Sequence, residues 1–180
     1  MPMSPRSLGT DRRRAHEMPA GVRRGPLPAF LEPSLALLSD RPPNGPQWVH
    51  EIKFDGYRIQ ARIDGGKVRL LTRKALDWAN RFPTIAAALE LLKVHKALLD
   101  GEIVSEDEQG IPQFSALQAD LKSGRRDRLR YHLFDLLYLD GFDLTGATLL
   151  ERKSLLASIM SRLPARSPLR YSEPAKRTAR

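Results

Sequence analysis

Hydrophobic and polar residues alternate through residues 48–73, and turn-forming pairs interrupt the alternation twice. In WVHEIKF (48–54), Trp48, His50, Ile52 and Phe54 share one face of an extended chain, while Val49, Glu51 and Lys53 share the other. The spacing predicts a strand, followed by a hairpin turn at Asp55-Gly56. YRIQARI (57–63) alternates in the same way, Asp64-Gly65-Gly66 marks a second turn, and KVRLLTR (67–73) gives a third strand. An antiparallel meander is expected.

The period then changes. Ile85, Leu89 and Leu92 form one stripe at helical spacing, with Pro83 suited to a first turn, so a helix is predicted over about 83–96. ALLDGEIV (97–104) reads as a strand and FSALQADL (114–121) as a short helix. LRYHLFDLLYL (129–139) is a mostly apolar strand, LLERKSLLASIM (149–160) a helix, and residues 169–172 a last short strand. Irregular alternation of strands and helices, with hairpins among them, points to an α+β fold rather than a doubly wound sheet.

Charge sharpens the picture at the ends. The net charge is +9, but residues 1–25 hold six arginines against two acids, and residues 170–180 hold four basic residues against Glu173. Residues 1–26 are rich in Arg, Pro, Gly and Ser and read as a basic linker or tail, with a second basic tail at 174–180. Such arms favour polyanions such as nucleic acid, and equally serve as solvated linkers. A proline-rich stretch from 26 to 46 leads into the first predicted strand. No apolar run is long enough to span a membrane. The absence of cysteine excludes disulfides and thiolate chemistry and fits a cytoplasmic protein.

Several chemistries lack their motifs. No phosphate-binding Gly-x4-Gly-Lys-Ser/Thr or Gly-x-Gly-x-x-Gly occurs, the four histidines have no metal spacing, and no serine-elbow motif is present. Lysine chemistry is the enzymatic option left. In the predicted first strand Lys53 shares a face with Glu51; the pair is either a nucleophile in a tuned site or an ordinary surface ion pair.

The segment EIKFDGYR (51–58) resembles motif I, E-x-K-x-D-G-x-R, of the nucleotidyltransferases that link a nucleotide to lysine. These include ATP-dependent DNA ligases, RNA ligases and mRNA capping enzymes. With PAFLEPSLALL, LLTR, ALLDGEIV, FDLLYLDG, LLERK and RYSE in order, residues 27–173 are similar to the ligase domain of the bacterial end-joining DNA ligase D family. The resemblance implies an incomplete nucleotidyltransferase adenylation domain, ATP-grasp-like, with antiparallel sheets and packed helices. It implies that Lys53 attacks the α-phosphate of ATP and holds AMP. Glu51 would help select adenine, and Arg58 and Arg73 would contact the nucleotide and its phosphates. Glu102 would bind the ribose hydroxyls and, as a secondary role, a Mg²⁺ or Mn²⁺ ion. Phe134 would stack on the adenine ring.

The sequence departs from the family at two places. Lys74-Ala75 replaces the usual Asn-Gly after Arg73, which predicts an altered turn. Motif IV (Glu-Gly-x-Val-x-Lys), motif V (Lys-x-Lys) and the oligonucleotide-binding-fold domain do not occur in residues 1–180. The expectation is therefore a ligase fragment, inactive alone, with nicked or broken DNA as substrate. Its expected partners are end-joining repair proteins or a chain supplying the missing half. A non-catalytic remnant that binds nucleotide or DNA is the alternative, and an RNA ligase or capping-type enzyme a lesser one.

Overall fold

In a computed structural model of the chain, residues 18–34, 40–41, 43, 45 and 48–175 are described. The strands are β1 (Arg23–Arg24), β2 (Tyr57–Asp64), β3 (Lys67–Thr72), β4 (Lys96–Ser105), β5 (Leu129–Leu139), β6 (Phe142–Asp143) and β7 (Leu169–Tyr171). The helices are α1 (Pro83–Glu90), α2 (Phe114–Ser123) and α3 (Leu149–Met160), with a 3-10 turn at Ala79–Arg81. The strands form a seven-stranded sheet ordered β1-β6-β5-β4-β2-β3, with β7 also pairing β5. Every pairing is antiparallel except β5 with β7. This is the α+β class expected.

Alternation decides which face is core. Ile59, Ala61 and Ile63 of β2 are buried with Leu99 and Ile103 of β4, Tyr131 and Leu133 of β5, and Ile85 and Leu89 of α1. The intervening residues of β2, Arg58, Gln60 and Arg62, carry the opposite face. A strap from the proline-rich segment runs over them: Arg62 Nε donates to Pro28 O at 3.0 Å, Gln60 exchanges two bonds with Leu31 at 2.9 and 3.0 Å, and Arg58 donates to Ser34 O at 2.8 Å.

Four expectations are corrected. Residues 48–54 form no strand, and Trp48 and Ile52 are exposed. Asp55-Gly56 is therefore no hairpin turn. Its glycine permits close approach instead, since a Cβ there would lie 2.2 Å from Ile103 O of β4. The helix from Pro83 stops at Glu90, and Leu92 is buried from the turn that follows. Finally, the N-terminal tail is shorter than residue 26: β1 pairs with β6, and Met18 and Val22 pack on the core. Residues 1–17 and 176–180 of the two tails lie outside the described residues.

In the turn after β3, Lys74-Ala75 stands where the family usually has Asn-Gly. Ala75 has φ 56°, the left-handed region that favours glycine. No helix among the described residues is long and apolar enough to cross a membrane.

Candidate active site

The segment 48–56 joins no strand, yet contacts hold it along its length. Ala175 N donates to His50 O at 2.8 Å. The Glu51 carboxylate meets Lys153 Nζ of α3 at 2.5 Å. The Phe54 ring stacks on His132 of β5, with centroids 4.2 Å apart and planes 26° apart. Gly56 N donates to Glu102 Oε1 of β4 at 2.8 Å. Lys53 stands between these fixed points. It is exposed and lines a cleft of about 440 Å³ with Phe54, Asp55, His132, Pro112 and Tyr171. That volume lies within the range of small-molecule sites.

A second group sits beside it on the same sheet face. Arg58, Glu102 and His132 are successive cross-strand partners on β2, β4 and β5. Arg58 holds Asp100 through two bonds of 3.3 and 2.8 Å, and its guanidinium lies over the Phe134 ring at 5.5 Å from the centroid. Asp100 in turn faces Asp135 across the strands. Two carboxylates so placed repel, and each has its own arginine: Arg152 of α3 binds Asp135 at 2.7 and 2.9 Å.

Electrostatics follow from burial. Desolvation pushes the Asp100 carboxyl above its usual range, against the hydrogen bond and charge of Arg58. Desolvation also raises the Glu102 carboxyl, while the Gly56 amide and Arg58 pull it down and Asp55 and Asp100 add to the rise. Burial lowers the His132 pKa, opposed by Glu106, whose Oε1 lies 2.7 Å from Nε2. Raised carboxyls on the sheet next to a cleft with an exposed lysine mark a candidate functional region.

The structure thus clusters Arg58, Glu102 and Phe134 on the sheet, adjoining through His132 and Gly56 the cleft that Lys53 lines, and Phe134 is only half-buried rather than core. Glu51 and Lys53 do not share a strand face; the Glu51 carboxylate turns to Lys153. Arg73 is exposed just past β3 and makes no hydrogen bond or ion pair with another described residue. His132, Arg152 and Lys153 were not singled out from the sequence, and Asp100, beside Glu102 in LDGEIV, was given no role. Lys153 had a signal: with Leu149, Leu156 and Met160 it falls on the apolar stripe of α3, where a lysine is out of place.

A metal finds less support. Among the described residues no three His, Cys, Asp or Glu groups assemble a metal site. Asp100 and Asp135 are taken by arginines and Glu102 by the Gly56 amide. A Mg²⁺ or Mn²⁺ ion at Glu102 would therefore have to draw its other ligands from bound phosphate rather than from these carboxylates.

An α+β sheet that presents an exposed lysine beside an aromatic, an arginine and a carboxylate has the make-up of a nucleotidyltransferase domain. Comparison with known proteins agrees. Residues 40–178 match the family model described as ATP dependent DNA ligase domain. The chain is 44% identical over 147 residues to the multifunctional non-homologous end joining protein LigD of Pseudomonas aeruginosa, covering 82% of this chain and 17% of that protein. It is 42% identical over 113 residues to the corresponding LigD repair protein of Mycobacterium tuberculosis, covering 63% of this chain and 14% of that protein. Among solved structures it resembles the ligase domain from M. tuberculosis LigD, with TM-score 0.60 and 35% identity over 71% of this chain and 39% of that one. It also resembles a mycobacterial DNA ligase D complexed with ATP and MES, with TM-score 0.58 and 37% identity over 68% of this chain and 38% of that one. The chain belongs to the ATP-dependent DNA ligase domain family, and it spans under a fifth of the curated relatives named here.

Proposed function

We propose that this chain carries the lysine-adenylating part of an ATP-dependent DNA ligase that seals nicks or breaks during end joining. The observation that supports it most is the presentation of Lys53, exposed at the cleft between fixed anchors, next to the Arg58–Glu102–Phe134 group.

In this reading the neutral Lys53 amine attacks the α-phosphorus of ATP. A nitrogen–phosphorus bond forms, the bond to pyrophosphate breaks, and the amine gives up a proton. Phe134 stacks on adenine, Glu102 accepts from the ribose hydroxyls, and Arg58 faces the developing phosphate charge. Arg73, free of partners among the described residues, contacts phosphate when the nucleotide or DNA arrives. A DNA 5′-phosphate then takes the AMP from Lys53, and a 3′-hydroxyl displaces AMP to close the strand. The setting proposed is the bacterial cytoplasm, with DNA ends and end-joining proteins as partners.

The test is labelled-AMP transfer from ATP, with Mg²⁺, to the chain extended by a matching motif IV–V segment. A Lys53–AMP adduct is expected, lost in Lys53→Ala. It is lost in Lys53→Arg as well, because a guanidinium stays protonated. Label that persists in Lys53→Ala ends the reading.

A further inference from the structure

Lys153 is the one lysine among the buried residues of the described chain, with 1% of its surface exposed. A buried ammonium is costly unless its charge and all its protons are matched. Here they are. Its three donors meet three acceptors: Glu51 Oε1 at 2.5 Å, Ser172 O at 2.8 Å and Phe134 O at 3.2 Å. The Tyr171 ring adds a face at 5.3 Å. A lysine so satisfied is not a nucleophile, which separates its role from that of Lys53. An apolar residue would continue the α3 stripe, so the ammonium is explained by what it holds rather than by the helix.

What it holds is informative. The three acceptors belong to the Lys53 segment, to β5 at Phe134 and to the residue following β7. Glu51 precedes Lys53 by two residues, a span of roughly 7 Å in extended chain. The segment has no ladder bonds of its own, so its position depends on its side-chain anchors. Downstream of Lys53 the anchors are the Phe54–His132 stack and the Gly56–Glu102 bond. Upstream, the charged anchor is Glu51–Lys153.

We infer that Lys153 is a positioning residue that, through Glu51, fixes the approach of the Lys53 amine and its register against Phe134. The Glu51 carboxylate then acts as an anchor for the loop through the oxygen that Lys153 binds. The inference rests on the adenylation reading above for its consequence, but the anchoring itself is testable apart from it.

The experiment compares Glu51→Gln, Lys153→Met and the double variant by two measurements. In the full chain, trypsin cleavage after Lys53 is timed against cleavage after the exposed Arg73 in the same sample. Each single variant is expected to speed the Lys53 cut by about tenfold relative to the Arg73 cut, as a locally released segment opens more often. In the extended chain, the saturating rate of Lys53–AMP formation is expected to fall by about tenfold to a hundredfold, with the half-saturating ATP concentration changing far less. The double variant should match Lys153→Met, because the two residues act as one unit. A merely structural lysine would give multiplying losses and equal acceleration at both cut sites, and either result overturns the inference. Should Lys153→Met fail to fold, Glu51→Gln carries the same test from the exposed side of the pair. If the unsubstituted extended chain forms no adduct, the adenylation reading fails, while the trypsin ratio still decides the anchor.

Discussion

Gly56 offers a direct measure of how tightly the lysine loop is built against the sheet. In Gly56→Ala the new Cβ would lie 2.2 Å from Ile103 O and 2.9 Å from Val104 Cγ1. The oxygen belongs to the backbone of the central strand β4, which is paired on both sides and cannot withdraw. The loop must move instead, by about an ångström, and the 2.8 Å bond from Gly56 N to the Glu102 carboxylate breaks or stretches. Overpacking of this kind costs about 1–3 kcal/mol, and a hydrogen bond to a charged group is worth about 1.5–3 kcal/mol. Neighbouring effects overlap, so a loss of about 2–4 kcal/mol is expected, a large share of the roughly 5–15 kcal/mol that holds a domain. Equilibrium urea unfolding reads it as a lower midpoint at unchanged slope. Gly25→Ala is the control, since nothing lies within 4 Å of a Cβ there and its φ is not in the left-handed region. A Gly56→Ala midpoint within error of the parent would refute the reasoning.

The same loop shows where reading from the sequence fails. Residues 48–54 alternate as a strand does, but alternation describes side chains, and a strand also needs a partner for its backbone. Here β2 already has β3 on one side and β4 on the other. The pattern instead records anchors of different kinds, Glu51 to Lys153 and Phe54 to His132. By contrast β5 and α3 were legible to the residue, because each combines a long regular pattern with clear ends. For α3 the start is chemical: Thr148 and Glu151 form a capping box. Strands of two residues, β1 and β6, are too short to leave a period and could be found only in three dimensions.

The candidate site divides along the same line. Lys53, Arg58, Glu102 and Phe134 sit in local motifs, and the sheet register brings three of them together. Asp100, Arg152 and Lys153 act through partners far along the chain, with Lys153 and Glu51 102 positions apart. No local pattern encodes such a pair, although a lysine on an apolar stripe is a trace of it. Buried charge at this site is arranged in matched sets, Arg58 with Asp100 and Arg152 with Asp135. The loop itself is held by one ion pair from α3, a carboxylate of β4 on the Gly56 amide, and a ring of β5 stacked on Phe54.

Two further outcomes are expected. Ala75→Gly should stabilise the fold by roughly 0.5–1 kcal/mol in urea unfolding, the difference between the strain of a left-handed alanine and the chain entropy of glycine. No gain would mean that the turn relaxes around Ala75. The second outcome concerns Glu102 and pH. Desolvation raises its carboxyl above the ordinary value of 4.5, so folding favours its protonated form. The stability this group contributes is complete below the unfolded value and is lost as pH rises through the raised folded one. At neutral pH its charge is therefore a burden on the fold. Glu102→Gln removes the charge and keeps an acceptor for Gly56 N. The variant should be at least as stable as the parent at pH 7, by a small margin because the side chain is only partly buried. That margin should close as pH falls below about 4, where the parent carboxyl is neutral in both states. Lys53–AMP formation should fall in the same variant, since a carboxylate accepts from ribose hydroxyls more strongly than an amide does. Unfolding curves at pH 7 and pH 4 decide the matter. A variant less stable than the parent at pH 7 and equal to it at pH 4 would show that the Glu102 charge holds the loop, and would reverse the sign argued here.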